Sequence, residues 1–252
     1  MDTLITNAEA IESIKIAGRI LDQVFKSIEK MDLTRMKTID LNDRIDTLIR
    51  QDGGIPAFLN YRGFPKSCCV SLNNEVVHGI PGDRRIENGD LVKIDVGVKY
   101  GGYIADAART YPTGNLAPEV EDMLKVTQQA LMDGVSAAQP GARISDISRA
   151  IQSRVEKNGY SVVRELTGHG VGTCLHEEPV IPNYVSNGPE YRIRTGMALA
   201  IEPMVNMGTY DVLTAQNGWT ILTRDNSLSC HYEDTVLILD HGNINLTRIT
   251  DN

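Results

Sequence analysis

The chain has 252 residues, 41% of them hydrophobic and 23% charged, an ordinary globular balance with enough apolar side chains for a substantial core. A formal net charge of -8 at pH 7 argues against nucleic acid or an anionic membrane surface as a partner. No stretch approaches the roughly 18 apolar residues of a membrane span, and the start, Met1-Asp2-Thr3-Leu4-Ile5, lacks the basic-then-apolar pattern of a signal peptide.

In chain order, the first expected helix runs from about Asn7, a good cap, to Lys30, with Ile11, Ile14, Ala17, Leu21, Val24, Phe25 and Ile28 at helical spacing. The second covers about Asp40 to Asp52, with Leu41, Ile45, Leu48 and Ile49 inward and Gly53 as the stop. Strand-like runs follow at Leu91 to Val98 and Tyr103 to Tyr111. A third helix begins near Pro118 and is expected to end before Gly134, and a fourth uses Ile144, Ile147, Ile151 and Val155, closing at Asn158-Gly159. Further strand-like runs lie at Tyr160 to Glu165, Met197 to Ile201 and Tyr232 to Leu239. Two helices then strands, twice over, predict an α+β fold of two similar halves, about 1–115 and 116–252, within one domain. Cys68, Cys69, Cys174 and Cys230 form no CxxC pair, so free thiols in a reducing, cytoplasmic setting are expected.

A finer likeness links the halves. His78-Gly79-Ile80-Pro81 precedes Gly89 to Asp95, and His176-Glu177-Glu178-Pro179 precedes Gly196 to Glu202. Each His leads a Pro by three positions, and each Gly leads a strand-borne carboxylate by six. A pseudo-twofold would bring both carboxylates and both histidines near one axis.

Asp95 and Asp106 flank a hairpin expected to turn at Gly101-Gly102. With a two-residue turn, Gly97 faces Asp106, and Asp95 projects from the same face as a diagonal neighbour roughly 7–8 Å away. A three-residue turn with a bulge would weaken that pairing. Asp95 interrupts the apolar Leu91 to Val98 run, Glu202 follows Ala198-Leu199-Ala200-Ile201, and Glu233 precedes Thr235-Val236-Leu237-Ile238-Leu239. Any one of these acids alone reads as an ion-pair partner or a strand-end carboxylate. Four of them in apolar strands, with no comparable buried Lys or Arg, would carry a charge of about -4 at low dielectric. Two divalent cations would neutralise that set.

Of five histidines, His169 sits in Gly168-His169-Gly170-Val171-Gly172, where backbone can approach a ligand closely, although a structural turn histidine is also possible there. His176 lacks the zincin HExxH pattern, because Val180 stands where the second histidine would be, so a hydrogen-bonding role suits it better than zinc ligation. His241, followed by Gly242-Asn243, is expected at the surface.

Tyr61 to Ser67, Asn74 to Pro81, the Asp95/Asp106 spacing, Gly168 to Gly172, His176 to Pro179, Ile201 to Met204 and Tyr232-Glu233 together resemble the type I methionine aminopeptidases, from about residue 5 to residue 248. In combination and in order these motifs are very specific. The resemblance implies a pita-bread fold: two pseudo-twofold-related halves with a curved antiparallel sheet backed by helices. It implies the ligand set Asp95, Asp106, His169, Glu202 and Glu233 for two divalent metal ions, with Co, Mn, Fe, Ni and Zn all open. Asp106 and Glu233 would bridge the ions. It implies a methionine pocket of Phe58, Tyr61, Phe64, Cys69, Leu175 and Trp219, with His78 and His176 beside the scissile bond. The implied chemistry is removal of the initiator methionine by a metal-held water, Glu202 relaying the proton and His176 stabilising the oxyanion. Expected partners are N-terminal Met peptides, nascent chains and the ribosome, with a monomeric enzyme.

Two positions depart from the family: Val77 stands where a cysteine is common, with an extra Asn at Asn73-Asn74, and Asp234 stands where a His commonly follows the last Glu. Two alternatives follow from the same fold: an enzyme that cleaves next to proline, and a metal-free binding protein. A pair of peptides, Met-Ala-Ser and Ala-Pro, discriminates the first; intact ligands speak against the second.

Overall fold

The computed structural model describes residues 3–188 and 190–248. Helix α1 (Ala8–Ile28) starts where Asn7 caps it, the Asn7 Oδ1 accepting the Ala10 N–H at 2.8 Å. Helix α2 (Thr38–Gln51) buries Leu41, Ile45 and Ile49, leaving Leu48 half-buried. Both helices lie on an antiparallel sheet built around the Leu91–Tyr100 strand, which pairs with Tyr103–Pro112 along one edge and with Cys69–Leu72 and Ile55–Pro56 along the other. Ile20, Leu21, Val24, Ile45, Ile49, Val92, Ile94 and Val96 form the core between them. Burying each such side chain contributes about 1.5–3 kcal/mol before chain entropy is set against it.

The second half repeats the arrangement. Helices α3 (Pro118–Ala137) and α4 (Ile144–Lys157) back a five-stranded antiparallel sheet in the order Gly242–Asn245, Asp234–Leu239, Ala198–Ile201, Thr167–Val171, Glu177–Pro182. Met123, Leu131, Ile147, Ile151, Leu199, Ile201 and Val236 fill the space between helices and sheet. Two three-stranded sheets, one centred on Met204–Asn206 and the other on Ile221–Thr223, complete the molecule.

The hairpin has the expected register, with Tyr100 opposite Tyr103 and Gly97 opposite Asp106. Gly101 and Gly102 take φ of 55° and 90°, the left-handed pair that a tight twisted turn demands. Helix α3 does not end before Gly134, however. A Cβ there would lie 3.0 Å from the Ile151 side chain and 3.2 Å from Ile201, so this glycine lets α3 approach α4 and the sheet closely rather than stopping the helix. The expected Tyr160 to Glu165 strand shortens to Ser161–Val162, and His169 lies on a strand rather than in a turn. His241 is exposed, as expected.

The halves join along one seam. Ala108 and Glu233 exchange backbone hydrogen bonds of 3.3 and 3.0 Å. The Thr235 hydroxyl accepts the Asp106 N–H at 2.9 Å and donates to the Asp106 carbonyl at 2.7 Å. This seam carries Asp106 from one half beside Glu233 from the other.

Candidate metal centre

Asp95 and Asp106 project from the hairpin's inner face, the consequence of a two-residue turn and the alternation of side chains along a strand. Glu202 leaves the end of the Ala198–Ile201 strand, and Glu233 sits at the seam just before Asp234–Leu239. All are buried or nearly so: Asp95 is 9% exposed, Asp106 3% and Glu233 2%, while the Glu202 side chain is 13% exposed. Among the described residues their salt-bridge-range partners are imidazoles only. Asp95 Oδ1, Asp106 Oδ1 and Glu233 Oε1 have no hydrogen-bond partner at all. Buried carboxylate oxygens without partners are costly unless they are protonated or hold a cation.

His169 sharpens the point. Its Nδ1 lies 2.9 Å from the Gly170 carbonyl, which can only accept, so Nδ1 carries the proton. Burial pushes the His169 pKa down to about 4, so the ring is neutral and Nε2 presents a lone pair. That lone pair faces Glu202 Oε1 at 3.7 Å and Asp106 Oδ2 at 3.9 Å. Three electron-rich atoms converging with nothing positive between them repel, whereas a cation at their centre converts the repulsion to ligation. Donor atoms of Asp106, His169 and Glu233 lie within 4.8 Å of one another, and so do those of Glu202, His231 and Glu233. The residues present therefore fit a divalent metal.

Without such a cation the acids cling to protons. Burial pushes Asp106 up to about 7. Asp95 is raised well above its ordinary range by burial and then by Asp106. Glu202 and Glu233 are raised likewise, by burial first and then by the neighbouring carboxylates.

One cavity gathers every residue the sequence assigned to the site: Phe58, Tyr61, Phe64, Cys69, His78, Asp95, Asp106, His169, Leu175, His176, Glu202, Trp219 and Glu233 all line it, together with Arg62. Its apolar wall is made by Phe58, Phe64, Cys69 and Leu175, each at most 7% exposed. Trp219 stands edge-on to Phe64 with ring centroids 5.2 Å apart. His176 bridges wall and acids: its Nδ1 is 2.8 Å from the Tyr61 hydroxyl and its ring lies 4.3 Å from that of His169. Its pKa is pushed down to about 3, by partial burial first and then by His169. His78 takes a left-handed φ of 59°, unusual for a residue with a Cβ and typical of strain held at a working site. Its carbonyl accepts from Thr220 Oγ1 at 3.3 Å, tying it to the turn that carries Trp219.

Both departures from the family pattern have structural explanations. Val77 is 3% exposed and packs with Val76, Val163, Met204 and Val212, and Asn73 supplies the left-handed turn residue before it. Asp234 points away from the cluster, into Arg109 at 2.6 Å and Arg248 at 3.2 Å, with Thr247 and Asn245 also bound. Burial would push its carboxyl up, but those arginines hold it below the usual range. Arg109 also donates to the carbonyls of Ala108 and Glu233, clamping the seam from behind.

Sequence reasoning missed His231, Arg62 and the Arg109–Asp234 clamp. His231 could have been found, since it lies two positions before Glu233 in an extended run and so shares its face. Arg109 gave no such signal, because only the fold carries it across to Asp234.

The family model of metallopeptidase family M24 matches residues 12–240. Methionine aminopeptidase 1 of Bacillus subtilis is 44% identical over 92% of this chain and 94% of its own length. Methionine aminopeptidase of Clostridium perfringens is 42% identical over 98% of this chain and 99% of its own. The crystal structure of methionine aminopeptidase from Thermotoga maritima superposes with a TM-score of 0.95 at 37% identity, covering 99% of this chain and 100% of that one. The two-halved architecture is thus the shared pita-bread fold, and the chain belongs to metallopeptidase family M24.

Proposed function

We propose that this chain is a methionine aminopeptidase, a metal-dependent hydrolase that removes the N-terminal methionine from peptides and nascent proteins. The observation that carries the proposal is one cavity joining a buried carboxylate–imidazole cluster to an apolar wall of Phe58, Phe64, Cys69 and Leu175. Two divalent ions, drawn from Co, Mn, Fe, Ni or Zn, are the proposed occupants, held by Asp95, Asp106, His169, Glu202 and Glu233. Such ions supply Lewis acidity, lowering the pKa of water and polarising a carbonyl.

The chain's own residues do the rest. Phe58, Phe64, Cys69, Leu175 and Trp219 bury the methionine side chain, whose flexible thioether suits aromatic walls. That burial fixes the first peptide bond beside the acids, converting binding energy into orientation. Glu202 accepts a proton from the water that attacks the carbonyl carbon and delivers it to the amine that departs as the C–N bond breaks. When Tyr61 donates to His176 Nδ1, the His176 Nε2–H is free to stabilise charge developing on the carbonyl oxygen. His78 contacts the peptide near the scissile bond. The whole chain, 1–252, is proposed as one catalytic domain, acting as a cytoplasmic monomer that meets nascent chains at the ribosome. Among the described residues no helix is long and apolar enough to cross a membrane.

The test is hydrolysis of Met-Ala-Ser and Ala-Pro peptides by protein stripped with chelator and reloaded with each metal in turn. Cleavage of Met-Ala-Ser after reloading, with Ala-Pro untouched, is expected. Cleavage confined to Ala-Pro would overturn the substrate assignment, and full activity after stripping would overturn the metal.

A further inference from the structure

His231 is 1% exposed, and neither of its ring nitrogens has a hydrogen-bond partner. A buried imidazole with both nitrogens unused is rare enough in folded proteins to need a reason. Its Nε2 lies 3.3 Å from Glu202 Oε2. The other Glu202 oxygen, Oε1, faces His169 Nε2 at 3.7 Å. Glu202 therefore sits between two imidazoles, one at each oxygen.

The two imidazoles are not equivalent. His169 spends its N–H on the Gly170 carbonyl, so it offers Glu202 a lone pair. His231 has no such carbonyl, so an N–H at Nε2 has the Glu202 carboxylate as its acceptor within reach. Its backbone is pinned on both sides. The His231 N–H donates to Thr110 Oγ1 at 3.1 Å, and the same hydroxyl donates to the His231 carbonyl at 2.7 Å. His231 also pairs with Met204, two residues beyond Glu202, so one strand register holds the imidazole against the carboxylate. Hydrogen bonds of this kind are often long and poorly aligned before a site is loaded.

We infer that His231 is a positioning residue for Glu202: its Nε2–H holds Oε2, so that Oε1 stays directed at the His169 side of the cluster. The inference rests on the role proposed for Glu202. A carboxylate held at one oxygen cannot swing out of the cluster, and outer partners of this type typically set metal affinity or activity by about 10–100-fold.

His231→Leu keeps the volume and removes the donor, while His231→Gln returns an amide N–H near the former Nε2. The measurements are Tm, calorimetric Mn2+ affinity of the metal-stripped protein, and kcat and KM on Met-Ala-Ser. His231→Leu is expected to lose about 10–100-fold in Mn2+ affinity or kcat with KM unchanged, and His231→Gln to recover to within a few-fold. Should His231→Leu not fold, His231→Asn takes its place, since its shorter amide stops short of Oε2. The inference is overturned if His231→Leu, or His231→Asn in its place, stays within twofold of the parent in both affinity and kcat. It is equally overturned if His231→Gln is as impaired as His231→Leu. A parent inactive on Met-Ala-Ser would instead strike the proposed function, and the Mn2+ arm would still read the role of His231.

Discussion

Glu233 and Asp234 are neighbours in sequence, both buried, and opposite in character. Strand alternation sends Glu233 into the cavity among Asp95, Asp106 and Glu202, where burial first and then the neighbouring carboxylates raise its pKa. Asp234 turns the other way into Arg109 and Arg248, whose charges hold its carboxyl down. Removing a carboxylate from water is expensive on either side. On one side the chain supplies its own cations, and on the other it leaves the positive charge to a metal. Burial alone therefore does not mark a functional acid; the absence of a built-in counter-charge does.

The largest effect that sharpens this contrast is at Glu202. Glu202→Ala should lose about 10²–10⁴-fold in kcat on Met-Ala-Ser, the range for a general base, with Tm held within a few degrees. Full activity in that variant removes Glu202 from the mechanism. Next come the neighbours themselves, compared in metal-free protein. Asp234→Asn breaks a buried ion pair and should cost about 3–5 kcal/mol, read as a lower denaturant midpoint. Glu233→Gln relieves crowding and should leave the metal-free midpoint unchanged or raised, while abolishing metal uptake. Equal destabilisation by both substitutions would erase the distinction between the two acids.

A smaller effect appears with pH. A carboxyl whose folded pKa is raised stabilises the fold fully below its unfolded pKa and loses that contribution as pH rises through the folded value. Asp106, pushed up to about 7, sets the window between the ordinary carboxylate range and about 7. Metal-free protein should lose stability across that window, and metal-loaded protein should not. Metal binding at pH 7 should accordingly release protons, seen as a heat that changes with the buffer's ionisation enthalpy. Uptake without proton release would mean the acids are already ionised. The smallest effect is expected from Tyr61→Phe, which removes the hydroxyl beside His176 and should lower kcat about fivefold, the equivalent of about 1 kcal/mol for one hydrogen bond.

Much of the site could be read from the chain, for a local reason. Asp95 and Asp106 are separated by a tight turn whose geometry follows from Gly101-Gly102, so their common face needs no knowledge of the rest of the fold. The helices α1, α2 and α4 likewise follow from apolar spacing and end residues such as Asn7 and Gly159. Short strands such as Glu75–Val77 and Ile221–Thr223 were invisible, because three residues carry too little periodicity and the pairing of these two strands joins segments far apart in sequence. Gly134 misled for the same reason: its role is a close approach to Ile151 and Ile201, which no local pattern records.

The residue types in order determined which groups this protein has for chemistry: four acids in apolar strands, a histidine among glycines, and aromatic side chains to face them. Local sterics and alternation settle which way each one points along its own strand. Only the tertiary structure decided that Asp106 meets Glu233 at the seam, that Asp234 faces arginines, and that His231 stands against Glu202. Those pairings join residues more than a hundred positions apart, or turn on strand registers set by distant contacts, and the burial that makes them energetically decisive exists only once both halves have closed.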